Sequence, residues 1–192
     1  MSLPMAIKQI KVGFDNFSYI IYCQKTKKSA IVDPGNDIYK LIDFISYRNF
    51  HIKYIINTHH HSDHTSGNIQ IKNKYPNVEL VTSIINEEKL SDKKYLFVED
   101  QDSLQLGYIS LKFILTPGHT EEGICIIVDN EAILTGDTLF IGDCGRTDLP
   151  GGSLSQMFDT LQKIKALPGH LIVYPGHDYG DKQSDTLANQ VK

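Results

Sequence analysis

The sequence predicts an α/β fold in which two sheets pack face to face and helices cover their outer surfaces. Three observations carry this expectation. Apolar runs of strand length recur along the chain, separated in places by stretches with one apolar helical face. Four of those runs lead directly into a turn that carries histidine, aspartate or both. The length of 192 residues and apolar content of 41% suit one domain, residues 1–192, with a core that needs no staples.

Taken in order, Ile7 to Val12 alternates apolar and polar residues as a half-buried strand does. Phe17 to Cys23 and Ser29 to Val32 follow as strands, and Asp33-Pro34-Gly35 ends them as a turn. Asn36 or Asp37 is placed to cap a helix in which Ile38, Leu41, Ile42 and Ile45 share a face. Ile52 to Ile56 reads as a buried strand and Asn68 to Tyr75 as a helix stopped by Pro76. Val78 to Thr82 is a short strand and Asn86 to Leu90 a brief helix; Ser91 to Asp102 is polar and shows no period. Strands are expected at Ile109 to Leu115, Ile124 to Val128 and Ala132 to Leu134. Ser153 and Gln156 form a capping box for a helix whose face is Leu154, Met157, Phe158, Leu161 and Ile164. Leu171 to Tyr174 is the last strand expected, before a polar tail, Gly180 to Lys192.

Bulk properties narrow the function. A net charge of −4 offers no electrostatic footprint for nucleic acid or an anionic membrane. Cys23, Cys125 and Cys144 are odd in number and form no Cys-x-x-Cys pair, which fits a reducing compartment. The first residues hold Lys8 and Lys11 and no signal-like apolar core, and no run approaches membrane-spanning length. A cytoplasmic enzyme is the expectation.

The chemistry concentrates in Asn57-Thr58-His59-His60-His61-Ser62-Asp63-His64, which leaves the Ile52 to Ile56 strand. Imidazole and carboxylate are the donors that zinc- or iron-type divalent cations take. In an extended segment His59 and His61 project to one side, and Asp63 and His64 follow a bend. A pair of donors on each side of that bend suits two adjacent metals. His60 points the other way and reads as a group supporting the site or lying at the surface. His51 and His170 sit in polar turns, and Cys23 and Cys125 belong with the core. Later strand ends deliver Gly118-His119, Gly136-Asp137 and Gly176-His177, where the glycines suit tight turns.

This ordered set resembles the metallo-β-lactamase-fold superfamily along nearly the whole chain. The resemblance implies an αββα sandwich of two mixed sheets flanked by helices. It further implies that His59, His61 and His119 hold one metal, that Asp63, His64 and His177 hold a second, and that Asp137 bridges them. Zinc is the first expectation, with iron or manganese as alternatives. Two such ions would lower the pKa of a shared water from about 15.7 towards neutrality.

Within the superfamily, Thr135 to Phe140 and Pro175-Gly176-His177-Asp178-Tyr179 look like hydroxyacylglutathione hydrolases of the glyoxalase II type. That likeness implies hydrolysis of a thioester of a small thiol by a metal-bound hydroxide. It gives Asp63 and Asp137 catalytic roles and makes Arg146 and Tyr179 substrate contacts. The helical C-terminal domain of those enzymes has no counterpart before Lys192, and Asp148 stands where they carry an aromatic residue. Cys144-Gly145-Arg146-Thr147-Asp148 instead resembles the persulfide dioxygenases, which use one iron. A metal-stabilised binding module would lack a ligand, and none is missing. Asp137 stands where many zinc lactamases carry cysteine, and the basic arm of nuclease relatives is absent.

Overall fold

A computed structural model describes residues 6–88, 90 and 95–191. The first sheet is β1 (Ile7–Val12), β2 (Asn16–Tyr22), β3 (Lys28–Val32), β4 (His51–Ile56), β5 (Glu79–Ser83) and β6 (Tyr95–Val98), in that spatial order. The second holds β7 (Ser103–Leu106), β8 (Ile109–Leu115), β9 (Ile124–Val128), β10 (Ala132–Gly136), β11 (Ile172–Pro175) and β12 (Asp185–Thr186), also as neighbours in sequence order. Both sheets are mixed. From β3 to β6 the strands run parallel, as do β10 and β11, while the remaining pairs are antiparallel.

The layering follows from the two-residue period of a strand. In β2, Phe17, Tyr19 and Ile21 point between the sheets and meet Phe113, Ile126 and Val128 from β8 and β9. Ile20, one residue out of phase, points the other way. It packs with Ile31 and Ile55 against Leu41 and Ile45 of α1 (Tyr39–Arg48), in a layer that also holds Ile71. Cys125 and Ile127 likewise leave the central layer for the opposite outer face, and Ile164 and Leu187 cover them. Short helices α2 (Ser62–Thr65) and α3 (Asn68–Lys74) follow β4, α4 (Leu154–Lys165) precedes β11, and α5 (Leu187–Gln190) closes the described chain. The expected sandwich of helix, sheet, sheet and helix is what forms.

Several local expectations change. Ile38, not Asn36 or Asp37, precedes α1, and no side chain caps it. Asn36 accepts a hydrogen bond from Ser66, and Asp37 pairs with Lys40, so both side chains are occupied elsewhere. The brief helix expected from Asn86 is a 3-10 turn over Ile84–Asn86, with Ser83 accepting from the Ile85 amide; residue 89 and residues 91–94 lie outside the described residues. The polar stretch before Ile109 supplies β6 and β7, two strands that composition alone did not mark. The tail supplies β12 and α5. Among the described residues no helix is long and apolar enough to cross a membrane.

Helix α4 forms only half of its capping box. Ser153 Oγ accepts from the Gln156 amide at 3.4 Å, but the Ser153 amide donates to the Gly118 carbonyl at 2.8 Å instead of to Gln156. That bond ties the helix start to the loop carrying His119. The face buried by α4 is Met157, Thr160 and Ile164, whereas Leu154 and Phe158 are 76% and 62% exposed. Gly118 sits at φ +143°, and a Cβ there would lie 2.5 Å from the Met157 Cα. Gly118→Ala should therefore lower unfolding stability by roughly 1–3 kcal/mol, the usual cost of overpacking. Urea denaturation measures it, and an unchanged midpoint would mean that α4 can retreat from the loop without penalty.

Candidate metal centre

Strand ends from both sheets meet along one edge of the sandwich. Strand β4 ends at Ile56, and the next residues bring His59, His61, Asp63 and His64 into the edge. The loops after β8 and β11 bring His119 and His177, and Asp137 directly follows β10. Rigid strands thus fix the starting point of every donor, and short turns aim them.

The donors separate into two groups. His61 Nδ1 lies 3.1 Å from both His59 Nε2 and His119 Nε2. His64 Nε2 and His177 Nε2 are 3.3 Å apart, and Asp63 Oδ2 lies 3.5 Å from each. Asp137 stands between the groups. Its Oδ2 is 3.6 Å from His119 Nε2 and 3.2 Å from His177 Nε2, and its Oδ1 is 3.3 Å from His64 Nε2. Every one of the seven side chains expected to meet does meet.

The far sides of four of the five rings are held. His64 Nδ1 contacts Asp33 Oδ2 at 3.1 Å, and His177 Nδ1 contacts Asp15 Oδ1 at 3.1 Å. His119 Nδ1 donates to the Arg146 carbonyl at 2.8 Å, while His59 Nδ1 lies 3.1 Å from Thr58 Oγ1. With these nitrogens engaged behind, the Nε2 atoms of these four rings face inward. Asp33 also accepts from the Thr58 amide and hydroxyl, at 2.7 and 2.6 Å. Asp33, His59 and His64 are close enough to share a cation. The hydrogen bonds already committed to Asp33 make it an orienting group instead.

This arrangement fits divalent cations. Ligands about 2.0–2.1 Å from a tetrahedral zinc sit about 3.3 Å from one another, close to the separations seen here. Asp137 Oδ1 is buried and accepts no hydrogen bond among the described residues, a costly condition for a carboxylate oxygen unless a cation engages it. The protonation pattern points the same way. Burial, and then the neighbouring His64, push His59 well below its usual range; burial and His119 do the same more mildly to His61. Burial also opposes charge on His64, but its hydrogen bond to Asp33 and the nearby carboxylates outweigh that and carry it to about 9. Burial would raise the Asp137 carboxyl, yet the surrounding imidazoles hold it far below the ordinary range.

The glycines serve the centre in two ways. Gly136, at φ +49°, adopts the left-handed conformation expected of it, and a Cβ there would meet the Thr58 side chain. Gly176 has no positive φ; it is needed because a Cβ would lie 2.2 Å from Asp137 Oδ1.

The two expected substrate contacts lie at the rim. The Arg146 guanidinium makes a two-point pair with Asp148, both bonds at 2.7 Å, and both side chains are largely exposed. Tyr179 stacks on His177, with ring centroids 4.8 Å apart and planes 11° from parallel, and meets Phe140 edge-on. Asp15, Asn16, Asp33 and Glu122 were not singled out from sequence as parts of the centre. Of these only Asp33 carried a local signal, since it leaves a strand end as His59 and Asp137 do.

Residues 12–177 match the family described as Metallo-beta-lactamase superfamily. A hydroxyacylglutathione hydrolase from Pelagibacter ubique is 37% identical over 184 residues, covering 94% of this chain and 74% of that protein. The chain spans 64% to 74% of the length of this and two further hydroxyacylglutathione hydrolases. A Bacillus velezensis protein named "Probable polyketide biosynthesis zinc-dependent hydrolase BaeB" is 33% identical, over 97% of this chain and 83% of its own. Among solved structures, ETHE1 from Myxococcus xanthus superposes with a TM-score of 0.86 over 96% of this chain and 80% of that one; its 24% identity makes this a likeness of fold. A family match running through both sheets and reaching from β1 to His177 makes the chain a member of the metallo-beta-lactamase superfamily.

Proposed function

We propose that this metallo-hydrolase cleaves thioesters of a small thiol, hydroxyacylglutathione foremost, with two divalent cations. His59, His61 and His119 hold one, Asp63, His64 and His177 the other, and Asp137 is shared. The observation that carries this reading is the position of Asp137, within 3.6 Å of both groups and with one buried oxygen that accepts no hydrogen bond among the described residues. Zinc is the favoured metal, in line with the name of the Bacillus velezensis relative, and the thioester follows the Pelagibacter ubique enzyme.

Bound cations of this kind supply an acidified water and polarise a carbonyl. The chain's own groups do the rest. Asp63 Oδ2 takes a hydrogen bond from Asn16 Nδ2 at 2.8 Å, which fixes the carboxylate where it can orient the attacking water. Asp63 and Asp137 offset the charge of the cations. A thiol of pKa about 8.5 departs as thiolate, so no dedicated general acid is required. At the rim the exposed Arg146–Asp148 pair exchanges readily, and a substrate carboxylate competes with Asp148 for the guanidinium. Tyr179 keeps the His177 ring in place from its outer face and offers an edge to the thiol moiety.

A second reading, a one-iron persulfide dioxygenase, rests on the Cys144 to Asp148 stretch with its Arg146–Asp148 pair. One experiment separates the two. Metal analysis should give about two equivalents per chain, with lactoyl-thioester hydrolysis lost on chelation and restored by zinc. One iron per chain, with oxygen consumed on adding glutathione persulfide, would establish the dioxygenase instead.

Two further outcomes are expected. Asp137→Ala should abolish hydrolysis and lower the metal content of both positions; a variant with wild-type turnover would refute the shared-ligand assignment. The second set should bind cations in competition with protons. His64, raised to about 9, is protonated at neutral pH and must release that proton to offer Nε2. Apparent affinity there should rise about tenfold per pH unit between about pH 6 and 8, with proton release visible by calorimetry in buffers of different ionisation enthalpy. An affinity independent of pH would remove His64 from the ligand set.

A further inference from the structure

Glu122 is a buried carboxylate, 2% exposed, that belongs to neither donor group. It lies in the turn joining His119 to β9. Its Oε1 accepts from the His60 backbone amide at 3.0 Å and contacts His60 Nδ1 at 2.5 Å. Burial alone would raise the carboxyl, but these contacts with His60 and its own backbone amide hold it below its usual range. A carboxylate is stable out of water only when its oxygens are hydrogen-bonded, so the turn and the His60 peptide hold each other in place.

The position of that peptide gives the contact its consequence. The His60 amide belongs to the peptide that joins His59 to His60, so anchoring it fixes that plane directly after His59 and the start of the backbone leading to His61. The same turn grips the stretch at a second point, where the Ile124 amide donates to the Thr58 carbonyl at 2.9 Å. The turn is itself closed by Thr116 N–H to Gly123 O at 2.7 Å and Gly118 N–H to Thr120 O at 3.0 Å, so it moves as a unit with His119. By contrast, Asp63, His64 and His177 are held from elsewhere, by Asn16, Asp33 and Asp15.

We infer that Glu122 is a positioning residue for the first cation site: it couples the loop of His59 and His61 to the loop of His119 through the His60 peptide. It touches neither cation nor substrate. The His60 ring, 56% exposed, is secondary to the backbone amide in this role. The inference rests on the two-cation reading above and adds that the first site has a support the second does not share.

Metal-stripped full-length protein titrated with cobalt(II) against a competing chelator tests it, with the visible spectrum reporting each site. His177→Ala, which leaves the first set complete, identifies the signal of that set. In Glu122→Ala the first-set equivalent should weaken by about 10–100-fold, the usual effect of losing a group that orients ligands, while the second stays within about threefold. Glu122→Gln keeps a carbonyl oxygen for the His60 amide and should recover most of the affinity. His60→Ala keeps the amide itself and should stay near wild type. If Glu122→Ala does not fold, Glu122→Asp, whose shorter side chain falls away from the amide, should give the same selective loss. Wild-type affinity at both sites in the Ala or Asp variant would overturn the inference, as would equal weakening of both sites with a lowered melting temperature. Wild-type protein that takes up no cobalt would overturn the two-cation reading and this inference with it. Two equivalents in wild type and in Glu122→Ala, with unchanged affinities, would overturn this inference alone.

Discussion

The buried carboxylate of Asp33 is the constraint around which the metal edge is arranged. It sits at φ +50°, just past β3, where its amide donates to the Ile56 carbonyl and its carbonyl accepts from Ser18 Oγ. From there its side chain reaches the Thr58 amide and hydroxyl and the far nitrogen of His64. One residue therefore holds the exit of the chain from β4, the Thr58 side chain and the far side of the His64 ring. An aspartate tolerates the left-handed conformation that this requires better than most side chains do. Removing the carboxylate would take the acceptor from the Thr58 amide, the Thr58 hydroxyl and the His64 ring at the point where the first four proposed ligands begin.

The second constraint is the contact between sheets at the same edge. Tyr19 Oη donates to the Pro175 carbonyl at 2.5 Å across the sandwich, and the Phe17 amide donates to the Gly176 carbonyl at 2.8 Å. Asn16 and His177 pair as an isolated bridge, and Lys11 reaches Asp178. These bonds bolt the β1–β2 hairpin, which belongs to the first sheet, onto the exit of β11 in the second. The hairpin then supplies Asp15 to His177 and Asn16 to Asp63. Packing of the layers and orientation of the second donor group are thus one structural event.

What could be read from the sequence divides along the same line. The seven proposed ligands were legible because each is a metal-binding residue type placed just beyond an apolar strand, a local pattern. Most of their supports were not, because Asp15 and His177 are joined only by tertiary structure, as are Glu122 and His60. Asp33 read as the start of a turn, which it is, and its second task appears only when β4 is laid beside β3. The layered fold was legible from apolar runs of strand length separated by segments with one apolar helical face. Strand β6 escaped because its run of four apolar residues, Tyr95 to Val98, is short and set among charged and polar neighbours, and β7 because it alternates with serine and glutamine. Both lie at sheet edges, where one side needs no apolar cover. In α4 the helical period was read correctly but the buried arc too broadly. Leu154 and Phe158 lie outside the arc facing the sheet, which is centred on Met157, Thr160 and Ile164.

Strand order also accounts for why Asp137 stands between the two groups. Strand β9 is antiparallel to both β8 and β10, and β11 is parallel to β10, so β8, β10 and β11 all end at the same edge. Their exits carry His119, Asp137 and His177 respectively. Strand β10 lies between the other two, so its exit residue faces one donor group on either side. Facing them across the edge, the single exit of β4 supplies the other two donors of each group. A residue leaving β8 or β11 would be displaced towards one group only. The centre position demands a side chain with two acceptor atoms and a short reach, which aspartate provides and histidine does not. Topology selects the position, and the position selects the residue type.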